Sequence, residues 1–144
     1  MPLRSMKEIE LVEQRLLGAC DVADVLAASW EAFELVVALA SASEDQAADM
    51  YPAFMFARGS AVNGRNAIAF APSMPAGRAA MPESPALHGG DVYEVADAIA
   101  ALASVLSGRL REVAGNATDD GDRIACENAA RDADRIGELL TGST

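Results

Sequence analysis

Apolar residues recur through the first third of the chain at alternating steps of three and four: Ile9, Val12, Leu16, Ala19, Ala23, Leu26, Trp30, Phe33, Val37 and Ala40. A stripe with that period occupies one face of an α-helix. Ten positions without a change of phase predict one long helix from about Arg4 to Ala42, with Trp30 buried. At the α-helical rise it would extend roughly 57 Å. Gly18 stands beside the stripe and lowers helix propensity without shifting the phase. A break at Gly18, with Asp21 capping a new helix, is the alternative that the same residues leave open.

The pattern resumes at Met50, Phe54, Ala57, Ala61, Gly64, Ile68 and Ala71. Asp49 is placed to cap this second helix, and Pro52 falls in its first turn, where a missing amide hydrogen costs nothing. The small residues at 57, 61 and 64 predict a close approach to a neighbour. Asn63-Gly64 is a hairpin-turn dipeptide in other settings, but no strand pattern flanks it here, so the helix continues through it. Residues 72–90 hold four of the six prolines and three glycines, and read as a long irregular connection. Asp91 and Glu94 mark the start of a third helix, with Val92, Val95, Ile99, Leu102, Leu106 and Val113 along one side and Gly115-Asn116 at its end. Thr118, Asp119, Asp120 and Asp122 open a fourth with negative charge suited to its dipole. It presents Cys126, Ala130, Ala133, Gly137 and Leu140, and stops at Gly142.

The elements predict an all-α fold: an antiparallel helical bundle of four main helices with a long N-terminal helix, 1–144 forming a single domain. The first helix outruns its companions, each about 35 Å long. Its surplus apolar stripe needs a cover, and a second copy of the chain related by a two-fold axis supplies one, so a homodimer is expected.

Composition supports the helices and narrows the partners. Of 144 residues 31 are alanine and 5% are aromatic, a helix-former's balance. Acidic residues outnumber basic ones 22 to 11, for a net charge of −11, and Lys7 is the only lysine. A nucleic-acid face or an anionic membrane surface requires clustered positive charge, so neither nucleic acid nor membrane is expected as a partner. The longest uninterrupted apolar runs, 35–40 and 98–103, are too short for a span. The charged N-terminus lacks a signal-peptide core, and two cysteines, Cys20 and Cys126, make no disulfide framework; a cytoplasmic protein with reduced thiols is expected.

Charge is unevenly distributed. Seven acids and no base lie between Leu16 and Ala57, whereas Arg58, Arg65 and Arg78 are the only charges between Met50 and Pro82. Arg58 and Arg65, seven apart, share a helical face at a separation of about 10.5 Å, with Tyr51 and Met55 along the same strip. Such a strip can bind an anionic ligand, and Arg58, Arg65 and Tyr51 are the candidate ligand-binding residues. It can equally pair with acids of the first helix, and that structural role is the favoured one.

Other constellations are weaker. Asn116, Thr118, Asp120, Gly121 and Glu127 follow the spacing of an EF-hand loop, but asparagine and threonine stand where acids are needed, and turn and capping roles account for the same letters. The pairs Glu10/Glu13 and Glu31/Glu34 resemble in spacing the paired acids of all-α nucleotide pyrophosphatases. On one continuous helix they stand about 31 Å apart, too far to share a metal. His88 is the sole histidine, so no histidine cage forms within one chain. No catalytic residue, metal or cofactor is assigned. The reading that follows is a non-catalytic helical bundle acting through self-association and protein contacts. The alternative is a small-molecule-binding or enzymatic bundle that uses Arg58 and Arg65 to hold an anionic ligand.

Overall fold

The computed structural model describes residues 4–75 and 91–142. Among these the chain forms five α-helices: α1 (Arg4–Gly18), α2 (Val22–Ser43), α3 (Tyr51–Ala69), α4 (Val92–Asn116) and α5 (Asp120–Thr141). The fold is an all-α bundle, and the expected third and fourth helices begin and end close to where the sequence places them. Asp91 and Asp119 cap α4 and α5 by accepting from the amides of Tyr93 and Asp122, and Gly142 closes α5 in the left-handed conformation.

The long first helix is the part that differs. It breaks after Gly18, and Asp21 caps α2 by accepting from the Asp24 amide at 2.8 Å. Arg15 and Glu31, about 24 Å apart along a straight helix, form an ion pair instead. Two forces favour the bend. Ile9, Val12 and Leu16 bury against α2 and α4 of their own chain instead of projecting into water. The backbone groups that the break orphans find a partner in Arg109 of α4, which donates to the carbonyls of Leu16 (3.0 Å) and Ala19. The folded-back helix covers its apolar stripe within its own chain, so no surplus stripe is left there for a second copy to cover.

Helices α2 to α5 form a ring in which α2 neighbours α3, α3 neighbours α5, α5 neighbours α4 and α4 neighbours α2, with α1 packed outside against α2 and α4. Short connections make α2–α3 and α4–α5 antiparallel hairpins. Two hydrogen-bonded clamps set one hairpin against the other. At one end Tyr93 of α4 donates its hydroxyl to Asp49, 2.8 and 2.9 Å from its two oxygens, just before α3. At the other, Ser73 beyond α3 donates its amide and hydroxyl to Asp122 of α5, at 2.9 and 2.6 Å. Every neighbour in the ring is therefore antiparallel, and the connection from α3 to α4 joins diagonal helices at opposite ends of the bundle. Asp49 serves as an acceptor between helices and does not cap α3, which is led in by a 3-10 turn at Ala48–Met50.

The core contains Leu26, Phe33, Leu35 and Leu39 of α2, Phe54 and Ile68 of α3, and Ile99, Leu102, Leu106 and Leu110 of α4. Against these α5 sets mainly small side chains, Ala125, Cys126, Ala129, Ala130 and Ala133, followed by Ile136 and Leu140. Among the described residues α2 alone is long and apolar enough to cross a membrane, contrary to the estimate from uninterrupted runs, but many of its side chains form this core. Trp30 is only partly buried, since its edge of α2 faces Arg65 and not the ring interior.

Gly64 marks a close approach between α2 and α3. A β-carbon there would lie 2.4 Å from the Phe33 ring, whereas one on Gly108 would meet nothing within 4 Å. Gly64→Ala should therefore destabilise the protein by about 1–3 kcal/mol through overpacking. Gly108→Ala should stabilise it by up to about 1 kcal/mol, the helix-propensity gain alone. Denaturant melts of the two variants check the pair, and equal shifts would contradict the packing described here.

Candidate functional site

The arginine strip of α3 faces α2. Successive turns of α3 bring Arg58 and Arg65 to the same flank, and the acids of α2 and its C-terminal end meet them there. Arg58 Nη1 lies 3.1 Å from both carboxylate oxygens of Glu44 and 3.4 Å from Ser41 Oγ. Arg65 Nη1 donates to Glu34 Oε1 at 2.5 Å, and its guanidinium lies 5.6 Å from the centre of the Trp30 ring. The second contact is a cation–π arrangement, which holds the guanidinium plane while its edge serves the carboxylate. Tyr51, 40% exposed, lies in the first turn of α3, and no hydrogen bond joins it to either arginine. The structure thus places the two arginines on one strip, each with an internal carboxylate, and leaves Tyr51 to solvent.

The remaining sequence candidates resolve into local roles. The helix break does bring α1 beside α2, which the carboxylate pairs needed. Glu31 is nevertheless engaged by Arg15 and Glu34 by Arg65, and among the described residues no three metal-binding side chains gather. In the EF-hand-like stretch Asp119 is spent on the α5 cap, Asp120 pairs with Arg123 at 3.1 Å, and Asn116 donates to the Glu112 carbonyl at 2.9 Å. Arg78 and His88 lie outside the described residues.

Sequence reasoning missed three polar contacts that tie helices together. Arg109 closes the α1–α2 break and also pairs with Glu112 at 2.5 Å. Asp134 of α5 accepts from Ser107 of α4 at 2.6 Å and from Arg111. Asp122, only 3% exposed, anchors Ser73. No spacing rule announces the contacts between helices, because those partners stand between 23 and 93 residues apart.

Two ionisable groups are shifted in ways that bear on reactivity. Burial raises the Cys126 thiol to about 11, and the nearby Asp122 carboxylate adds to the effect. Asp132 is also raised, chiefly by burial, with Arg135 opposing. A thiol held protonated is a poor nucleophile. The exposed thiol is that of Cys20, at the helix break, and neither cysteine is in a disulfide.

Comparison with known proteins adds no relative: no family model matches the chain, and neither a curated protein nor a solved structure does.

Two predictions come from this geometry. Arg65→Ala should cost about 1–2 kcal/mol, between the values for exposed and buried pairs, since the two side chains are 25% and 23% exposed. A double-mutant cycle with Glu34→Ala should recover part of that loss as coupling. Phosphate should raise the melting temperature no more than chloride at equal ionic strength; a phosphate-specific rise lost in Arg65→Ala would favour a ligand site instead. For Cys126, the folded value lies above the ordinary thiol value of 9.0, so folding favours the protonated form. Its stabilising effect is whole below pH 9.0 and is lost as pH rises toward 11. Comparing pH-dependent melts of parent and Cys126→Ala checks the sign, and native alkylation should label Cys20 alone.

Proposed function

We propose that this protein is a non-catalytic helical bundle that works through protein contacts, first of all with a second copy of itself. The observation that carries the reading is the face shared by α3 and α5. There Phe56 is 57% exposed beside a groove of about 450 Å³ lined by Met55, Gly59, Asn63, Arg135 and Leu139. A large ring next to a shallow groove with an apolar edge suits a two-fold contact, in which each copy lends its Phe56 to the other's groove. Covering the exposed part of Phe56 contributes about 1–2 kcal/mol, and the symmetry counts it twice. Arg58 and Arg65 support the same reading from the other side: an anionic ligand would have to displace Glu44 and Glu34 from them. Unpaired cysteines, one of them exposed, fit a reducing compartment, and the cytoplasm is the proposed location.

The net charge of −11 opposes such a pair. Screening that repulsion should strengthen the dimer as salt rises, the reverse of an association driven by opposite charges. At micromolar concentration the parent should sediment at twice 15.0 kDa in rapid exchange with monomer, and Phe56→Glu should sediment at 15.0 kDa. A parent that stays monomeric at high salt would remove the proposal.

A further inference from the structure

We propose that α1 is an exchangeable arm, which can leave its own bundle and occupy the same site on a second copy of this chain. The proposal goes beyond the α3–α5 contact and uses a different surface. It starts from a conflict between sequence and structure. The apolar stripe from Ile9 to Ala40 keeps its phase across residues 19–21, as a continuous helix requires, yet the helix is bent there.

What holds the bend is a small set of polar contacts. Arg109 serves the Leu16 and Ala19 carbonyls, Asp21 caps the Asp24 amide, and Arg15 pairs with Glu31. No residue of the bend is locked into it by conformation, since Gly142 alone among the described residues has a positive φ, and nothing lies within 4 Å of a β-carbon built on Gly18. Straightening the chain would give the carbonyls of Leu16 and Ala19 their ordinary helical partners, the amides of Cys20 and Ala23. The backbone accounting therefore closes in either state.

The apolar accounting selects the partner. A straightened α1 exposes Ile9, Val12 and Leu16 and uncovers the α2–α4 groove that held them. The surface complementary to that stripe is the same groove on another copy. Exchange restores the apolar contacts between α1 and the bundle and gives up only the hinge contacts, those of Arg109 with Leu16 and Ala19 among them, which makes element swapping an inexpensive route to a dimer. Among the helices α1 packs against α2 and α4 only, so its departure leaves the four-helix ring intact.

The test uses the full chain carrying Cys20→Ser, Arg15→Cys and Glu31→Cys. The last two side chains face each other across the α1–α2 contact. After concentration and gentle warming, a short bismaleimide should link residue 15 of one copy to residue 31 of another, giving a covalent dimer on a denaturing gel. In the otherwise unaltered chain, Gly18→Ala and Arg109→Ala should each raise the fraction of dimer that survives dilution. The first favours straight helix by roughly 2- to 5-fold per chain, and the second removes a contact made only in the bent form. Links confined within single chains, or no rise in dilution-resistant dimer from either substitution, would overturn the exchange. A rapidly reversible dimer abolished by Phe56→Glu would still leave the α3–α5 contact standing, so the two ideas fail separately.

Discussion

The Arg109 guanidinium is the group on which the arrangement of the first forty residues depends. A helix that ends inside a protein leaves carbonyls without partners, and each costs free energy if water cannot reach it. Arg109 stands on α4, far away in sequence, and meets two of those carbonyls at once. The bend lets one continuous apolar stripe be split between two positions, α2 as a wall of the ring and α1 as a strut outside it. Without a donor at that point, straight helix is the state that satisfies the backbone most simply.

The ring itself is a matter of side-chain size. Alanines on α5 fill one wall, and Gly64 lets the Phe33 ring lie against the α3 backbone. Dispersion between closely apposed helices grows steeply as the gap narrows, so small residues compensate by proximity for the area they lack. The charged pairs sit outside this interior. Arg58 with Glu44 and Arg65 with Glu34 both join α3 to α2 and its end, and they oppose a sliding of one helix along the other.

Much of this was legible from the sequence, and the failures have physical causes. Helices α4 and α5 were readable because their apolar period and capping aspartates agree, with Gly142 closing α5, and α3 was readable from its apolar period and the proline of its first turn. The break in the first helix was not, because periodicity reports which face is buried and says nothing about whether one neighbour or two bury it. Gly18 and Asp21 were the available signal, but their weight depended on a donor that only the fold could supply. The arginine strip could be located from spacing and charge. Its partners Glu34 and Glu44 could be narrowed only to the acid-rich segment, since the register between α2 and α3 is set by the packing of Gly64 on Phe33. Asp49 was misassigned for a similar reason: a carboxylate before a helix can cap it or reach sideways, and the nearby Tyr93 hydroxyl decided the matter.

The diagonal connection between α3 and α4 divides the molecule in a way that bears on how it assembles. Each hairpin, α2–α3 and α4–α5, is built from contacts between chain neighbours, while the contacts between hairpins join segments far apart in sequence. The entropy of closing a loop rises only with the logarithm of its length, so a generous connection adds little to the free energy of the finished bundle. Its influence falls on the rate, because contacts between distant segments, the Tyr93 and Ser73 clamps among them, must form in one alignment. The protein is in this sense a dimer of dissimilar hairpins that happens to be encoded on one chain.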